Sequence, residues 1–587
     1  MQSTPNQPVE IALQREPATV TLSAVNVSTP ELPEQGGDTR RLLPPLALVL
    51  AIFGGCWAFI FVFYPPISQR FPLLDDWAGA RGLIQLADGG GVDYFNWASA
   101  PHLGQWLWAM PFAWALGFTC SSFRISTIVL SSIGIGAFYD LLRQEGCDRR
   151  RAAFLAATLA LNPLFFVLSG TFTAEIPTLS FCLLGLTLYR RALASRSMMP
   201  LAAAAVVAGL AVITKQNALA VPLSAACVFF MRGGTLRGNT RWQVGLLLPV
   251  ILGLAAAIWF AMWPSARPVD PAPIPPTLAV LLPYWALHFC GLAALPALAL
   301  VPPQRLWKRF AVGLGLMAVF AIYWANVPRM PNRGLFPYGL TAVFCREGIG
   351  QSMLHVGARL PLLDESTQSI LTNLGCIAGA ALLVRLSQQE ARQFWQNPIL
   401  VFTAFQAALM VTRPAVYDRD LLFLIPGAIF LAGARRADAR LGWLPGMISL
   451  LVFAALSVCL IHDWFAWNRA LWTLGRRATA ERRIDALEIE GGFEWDGWHA
   501  PRARSVSSNP FRTMLPKGLA PPALTLLATH QIFPQLTGNY ALAFSRPLRC
   551  TVLESEPYTL WLRRGEHAIL LLKYAPPMTS TADQKSK

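Results

Sequence analysis

Apolar runs close to the length of a bilayer core recur along this chain from Leu42 to Ile461, separated by polar stretches in which arginine dominates. A run of roughly 20 residues that is apolar on every side is what a membrane-spanning helix requires. In order they are Leu42–Tyr64, Phe123–Leu142, Ala152–Leu168, Glu175–Tyr189, Met199–Ile213, Gln216–Met231, Val244–Trp263, Thr277–Leu300, Ala311–Val327, Ser369–Leu386, Ile399–Val411, Leu421–Ala434 and Trp443–Ile461. The pattern predicts a polytopic α-helical membrane protein with about thirteen transmembrane helices. Residues Gln105–Phe118 are apolar but short, and they carry Trp106, Trp108 and Trp114. Indole rings favour the membrane–water interface, so this stretch reads as a helix lying on the surface rather than a span.

The flanks read differently. Residues 1–41 are rich in Pro, Thr, Gln and Glu, lack hydrophobic period, and read as a disordered tail. The runs leave two long loops, 65–122 and 328–367. After Ile461 polar residues return, with a turn-rich aromatic stretch, GGFEWDGW, at Gly491–Trp498. Arg549–Glu554, Thr559–Arg563 and His567–Tyr574 carry strand-forming patterns. Residues 462–575 therefore read as a small soluble α/β domain, and 576–587 as a frayed tail.

Composition agrees with a membrane protein. Of the 587 residues, 54% are hydrophobic and only 14% charged, where a soluble chain would have about 25% charged. The net charge of +16 does not imply nucleic acid, because no basic stripe is interleaved with stacking aromatics. The arginines instead cluster in alternate loops, as at Arg40-Arg41, Arg149–Arg151, Arg190-Arg191 and Arg435-Arg436. The positive-inside rule makes those loops cytoplasmic. The N-terminus is then inside, and the two long loops and the C-terminal domain are outside. Of ten cysteines, most lie in apolar runs; Cys345 and Cys550 both fall outside, which leaves a disulfide between them open. No CxxC or His-x-x-x-His spacing marks a structural zinc site.

Candidate chemistry gathers at the outward ends of the runs. Asp75 and Asp76 are adjacent acids just after the first span, costly there unless they face water, a cation or a reaction. Glu175, Lys215, Arg413, Asp418 and Arg419 sit at the outer ends of later spans, and His102 and His288 lie nearby in the topology. Each has a bland reading. Glu175 suits a helix N-terminus, Lys215 a tight turn, His288 a packed core, and Arg413 and Arg419 a solvated turn with Asp418 and Asp420. Together they suggest more. Cations on the outward side run against the positive-inside rule and need a local anion. A lipid phosphate fits, held by an Arg fork or a Lys point charge, with a carboxylate beside it as general base.

The order of these features resembles the GT-C glycosyltransferases, above all family 39, which includes relatives of protein O-mannosyltransferases and of the lipid A aminoarabinose transferase. The resemblance runs over about residues 42–575. It is carried by Asp75-Asp76-Trp77, the joint Gly117-Phe118 to Arg124, Thr173-Ala-Glu175-Ile-Pro177, Gly209–Lys215, and Asp418-Arg419-Asp420 leading to Pro426. It implies a glycosyltransferase that moves a hexose or pentose from a polyprenyl-phosphate donor to a lipid, glycan or protein acceptor, at the outer face of a bacterial inner membrane. Asp75 would be the base, Asp76 a supporting acid, and Lys215 and Arg419 the phosphate ligands. The family usually has Tyr where this chain has Asp420, an acid expected to repel the donor phosphate. The resemblance implies no certain cofactor and leaves a divalent cation open, with Asp76, His102 and His288 as groups that could meet in space. A transporter or lipid flippase is the alternative from another class, and a non-catalytic scaffold a third.

Overall fold

The computed structural model describes residues 43–65, 70–93, 95, 102–232, 238–262, 276–300, 307–325, 343–350, 355–411, 416–433, 443–501, 533, 535–547 and 550–574. Pro44–Lys587 form one compact unit. Its helices are α1 (Leu43–Phe63), α2 (Asp76–Ala87), α3 (Leu103–Leu116), α4 (Cys120–Gln144), α5 (Arg149–Ala160), α6 (Pro163–Ser169), α7 (Glu175–Ser195), α8 (Met198–Thr214), α9 (Ala220–Arg232), α10 (Thr240–Ala261), α11 (Pro276–Ala293), α12 (Leu295–Leu298), α13 (Trp307–Ala325), α14 (Glu365–Ser387), α15 (Ala391–Gln396), α16 (Pro398–Val411), α17 (Ile425–Gly433), α18 (Trp443–Ala480) and α19 (Phe493–His499). Every apolar run holds helix where it is described. Among the described residues five helices are long and apolar enough to cross a membrane by length and composition, or six if α5 and α6 form one span bent by 63°. The bend has a local cause: Asn162 caps α6 through Leu164 N–H and Phe165 N–H, and Pro163 follows at the first helical position. The chain is a polytopic helical membrane protein.

The helices are delimited by their own sequences. Thr119 and Ser122 form a reciprocal capping box at the start of α4, and Asp148, Asn239 and Asp364 cap α5, α10 and α14. Helix α3 buries Gln105, Trp106, Ala109 and Ala113 while exposing Leu107, Trp114 and Leu116. Gly104 lets α3 press on α8, since a Cβ there would lie 2.2 Å from the Leu210 carbonyl oxygen.

Helix α18 is 38 residues long, about 57 Å at 1.5 Å per residue and well beyond a bilayer core of about 30 Å. The expected domain start at 462 therefore falls inside a continuous helix. Its first half exposes Leu444, Met447, Ile448, Leu451 and Val452; from Leu460 onward it buries Trp464, Phe465, Trp467 and Trp472. The second half packs against a four-stranded sheet. Two short strands, β1 (Phe344–Cys345) and β2 (Gly348–Ile349), pair as a hairpin. Strands β3 (Ile489–Glu490), β4 (Tyr540–Ala543), β5 (Cys550–Tyr558) and β6 (His567–Tyr574) form the sheet in the order β3-β4-β6-β5, with β3 parallel to β4 and the other pairs antiparallel.

One expectation needs correction. Thr559–Arg563 is no strand but the connection between β5 and β6. Trp561 N–H and Leu562 N–H donate to the Asp463 carboxylate at 2.7 and 3.1 Å, so a side chain on α18 satisfies amides that a ladder would have used. Cys345 lies in β1 and Cys550 starts β5 in the separate sheet, with no disulfide between them. The N-terminal tail 1–41, residues 328–342 and 351–354 of the loop 328–367, and the tail 576–587 lie outside the described residues.

At the arginine-rich helix ends, one carboxylate gathers four elements. Glu145, at the end of α4, accepts from Arg190 Nε of α7 at 2.8 Å, Arg232 of α9 at 3.1 Å and Asn397 Nδ2 ahead of α16 at 3.0 Å. The Glu145 side chain is only 3% exposed. Removing a buried partner leaves its counter-charges uncompensated. Glu145→Ala should therefore destabilise the detergent-solubilised protein by roughly 2–4 kcal/mol, read as a fall in thermal unfolding midpoint, with Glu145→Gln costing less.

Candidate active site

The two acids behind Leu74 face opposite ways. Asp76 is buried and fully engaged: Oδ1 accepts from Leu73 N–H at 2.6 Å and Oδ2 from Phe172 N–H at 3.2 Å. Burial pushes its pKa up to about 7, against the pull of Arg124 and of the two amides. Arg124, buried on α4, donates to the Phe71 carbonyl and lies over the Phe71 ring. This arrangement pins the segment 71–76 between α4 and the chain entering α7. Leu74 takes a left-handed backbone, φ +53°. Asp75 then occupies the cap position of α2 and is turned toward the ends of other helices.

Those ends supply the remaining charges. Arg419 NH1 donates to both Asp75 oxygens at 2.8 and 2.9 Å. Arg419 Nε lies 3.5 Å from Glu175 Oε1, at the first residue of α7. The same oxygen takes Lys215 Nζ at 2.9 Å, from the residue after α8. Lys215 Nζ also lies 3.3 Å from Asp420 Oδ1. Arg419 and Asp420 belong to a 3-10 segment, Asp418–Leu424, that leads directly into α17. Three carboxylates thus surround two cations, one negative charge in excess. Asp75 and Arg419 are each 20% exposed and Glu175 and Asp420 5%, so the cluster opens on its Asp75 side. His102, just ahead of α3, lies within the field of Glu175, Lys215, Asp75 and Arg419; burial holds its pKa down at about 4 and keeps the ring neutral.

Asp75, Glu175, Lys215 and Arg419 therefore meet, with His102 beside them. Asp418 does something else. Its carboxylate accepts from Val343 N–H and Phe344 N–H at 3.0 and 2.8 Å, and from Arg419 N–H at 2.8 Å, so it fastens β1 to the 3-10 segment. His288 sits between α11 and α14, with Nε2 3.0 Å from the Thr372 carbonyl oxygen. Arg413 lies outside the described residues. Asp420 is compensated from two sides, by Lys215 and by Tyr417 N–H at 3.1 Å. Among the described residues no three His, Cys, Asp or Glu side chains are grouped to hold a metal ion.

Sequence reasoning left two residues out of the site. Arg124 was visible only as the end of the Gly117–Arg124 joint, and its burial beside Asp76 depends on how α4 packs. Glu494, inside GGFEWDGW, accepts from Leu74 N–H at 3.3 Å across 420 residues, which no local pattern announces.

Residues 99–263 match the family described as dolichyl-phosphate-mannose-protein mannosyltransferase. Over that segment the chain is similar to this family. The matched segment contains His102, Arg124, Glu175 and Lys215; Asp75 and Arg419 reach the cluster from the chain before and after it. Among solved structures, ArnT from Cupriavidus metallidurans bound to undecaprenyl phosphate is similar at 14% identity, over 92% of this chain and 99% of that one, with a TM-score of 0.35, too low to equate the two folds. No curated protein matches.

The buried titratable groups fix how stability responds to pH. Burial raises Asp76 to about 7 and Glu494 to about 8, and raises Asp496, which also faces Glu490. It lowers His102 and His499 to about 4 and His355 to about 3. A raised acid favours the folded state at low pH and loses that contribution as pH rises through its folded pKa; a lowered histidine penalises the folded state below the ordinary value of about 6.5. The two sets oppose each other below about 6.5, and only the acids act above it. The unfolding midpoint should therefore fall as pH rises from about 6.5 to 9, and Glu494→Gln should shrink that fall. A midpoint that climbs across this window would contradict the assignment of buried acids.

Proposed function

We propose that the protein is an inverting glycosyltransferase. It would take one sugar from a polyprenyl-phosphate donor at the outer face of a bacterial inner membrane and pass it to a lipid, glycan or protein hydroxyl. The observation that carries this reading is the meeting of Asp75 with Arg419, Glu175 and Lys215, two of them within the segment matched to a family of polyprenyl-phosphate-sugar transferases. A transporter would place its polar site near the middle of its helices, whereas these groups stand at helix ends. In the proposed topology about thirteen helices span the membrane, the N-terminus is cytoplasmic, and the long loops, the end of α18 and the sheet are periplasmic.

In the proposed reaction the Asp75 carboxylate takes the proton of the acceptor hydroxyl. The hydroxyl oxygen forms a bond to the anomeric carbon on the face opposite the phosphate, and the carbon–oxygen bond to phosphate breaks. The lipid phosphate leaves with the electron pair, and Lys215 and Arg419 stabilise its charge. Asp76 holds the backbone rather than the substrate, since both its oxygens are engaged by amides.

The geometry adds an order of events. Arg419 already holds both Asp75 oxygens through one nitrogen, and the cluster has an excess of negative charge. A donor phosphate that binds Arg419 competes with its carboxylates, and Asp75 is the more exposed of those on Arg419. Donor binding therefore frees the base to face the acceptor.

Two measurements test this. Asp75→Asn should lower transfer of a radiolabelled sugar from its polyprenyl phosphate by about 10²–10⁴, and near-normal turnover would refute the assignment of the base. The same variant should bind undecaprenyl phosphate more tightly, on the order of tenfold, because it removes the competitor for Arg419. Arg419→Gln and Lys215→Gln should weaken that binding instead.

A further inference from the structure

The left-handed turn at Leu74 has to be held by something, because a branched side chain with positive φ is strained and relaxes unless its surroundings over-determine it. Its amide points at the C-terminal part of the chain. Leu74 N–H donates to Glu494 Oε1, and Glu494 is 3% exposed on α19. We infer that Glu494 is a positioning residue, which holds the backbone at Leu74 so that the next side chain, Asp75, is aimed at Arg419. The inference rests on reading Asp75 as the base.

Three further contacts support it. The ring of Trp77 lies against Gly497, where a Cβ would come within 2.3 Å of the indole. Arg81 NH1 donates to the carbonyl oxygens of Gly497 and Ala500 at 2.7 Å each. Trp77 and Arg81, four apart, share one face of α2, so α19 grips the start of α2 along a single side. Glu494 is itself held in place. Its Oε2 lies 3.7 Å from His355 Nε2, and the His355 ring packs edge-on to Trp467 of α18 and Phe544 after β4. Arg359 lies over the same two rings and donates to the Ile349 carbonyl of β2. The aim of Asp75 is thus referred to the sheet and to α18.

An acceptor oxygen at position 494 is what the turn requires, and a glutamine keeps one. A merely structural Glu494 would act through the docking of α19 as a whole, which Arg81 also secures. The test compares Glu494→Ala, Glu494→Gln and Arg81→Ala in the full-length protein by hydrogen exchange of residues 71–77 and by steady-state transfer kinetics. Glu494→Ala should speed exchange in this segment and lower kcat about 10- to 100-fold, since small misplacement of a reacting group costs on that order, with KM for the lipid-linked sugar unchanged. Glu494→Gln should stay within about threefold of the parent in both, and Arg81→Ala should keep kcat. Unchanged exchange at 71–77 in Glu494→Ala overturns the inference, as does a glutamine variant as impaired as the alanine. If the parent protein transfers no sugar, the glycosyltransferase reading falls, and the exchange comparison still decides whether Glu494 holds the turn.

Discussion

One oxygen atom, Glu175 Oε1, holds the cluster together. It lies 2.9 Å from Lys215 Nζ and 3.5 Å from Arg419 Nε, and so stands between two cations that would otherwise repel each other. Two half-buried cations this close are stabilised by such a shared anion between them. Glu175 opens α7, where the helix dipole favours a carboxylate and reinforces its charged form. The residue that looked like an ordinary helix-start acid is also the one that allows a lysine from α8 and an arginine from the segment before α17 to converge. The bland and the functional readings of Glu175 describe one interaction from two sides.

The segment before α2 is the mobile partner in this arrangement only to the extent its anchors allow. From below, Asp76 takes two backbone amides and lies beside Arg124. From the other side, Glu494 takes the amide of Leu74. Asp75, between these anchors, is constrained in its backbone, while its side chain rests on Arg419. That division suits a base that must leave Arg419 and turn to an acceptor without the chain moving. It also separates the roles of two adjacent acids that the sequence presents as a pair.

The helices were legible because length and apolarity are local properties, and each run from Leu42 to Trp443 became helix. The end of α18 was not, because its continuation past Ile461 swaps lipid contact for packing on β5 and β6, and the polar residues that suggested a new domain are spaced around a helix. Thr559–Arg563 has strand composition but gives two amides to Asp463, a contact set by tertiary structure. In the site, Asp75, Glu175, Lys215 and Arg419 could be named from charges placed on the outward side, yet the pairing of Asp75 with Arg419 spans 344 residues and appears only in three dimensions. Asp418 and Asp420 show the limit most clearly. Adjacent in sequence to Arg419, they are directed to a strand and to a lysine, and neither direction is encoded in the triplet itself.

The excess negative charge of the cluster bears on which anion could enter it. A free phosphate arriving from water would have to compete with the carboxylates for Lys215 and Arg419 and gain little beyond the exchange of one anion for another. A phosphate carried on a polyprenyl chain is in a different position. Its tail already lies in the bilayer beside the helix ends, so its head group is confined near Arg419 at high effective concentration. In the proposed mechanism the carboxylates act as a filter: they lower the affinity of Lys215 and Arg419 for soluble anions and leave the site to a ligand whose binding is carried mainly by its lipid. The same competition explains how Asp420 is compatible with phosphate chemistry. By pairing with Lys215, it contributes to the charge excess without occupying the Arg419 nitrogen that Asp75 holds.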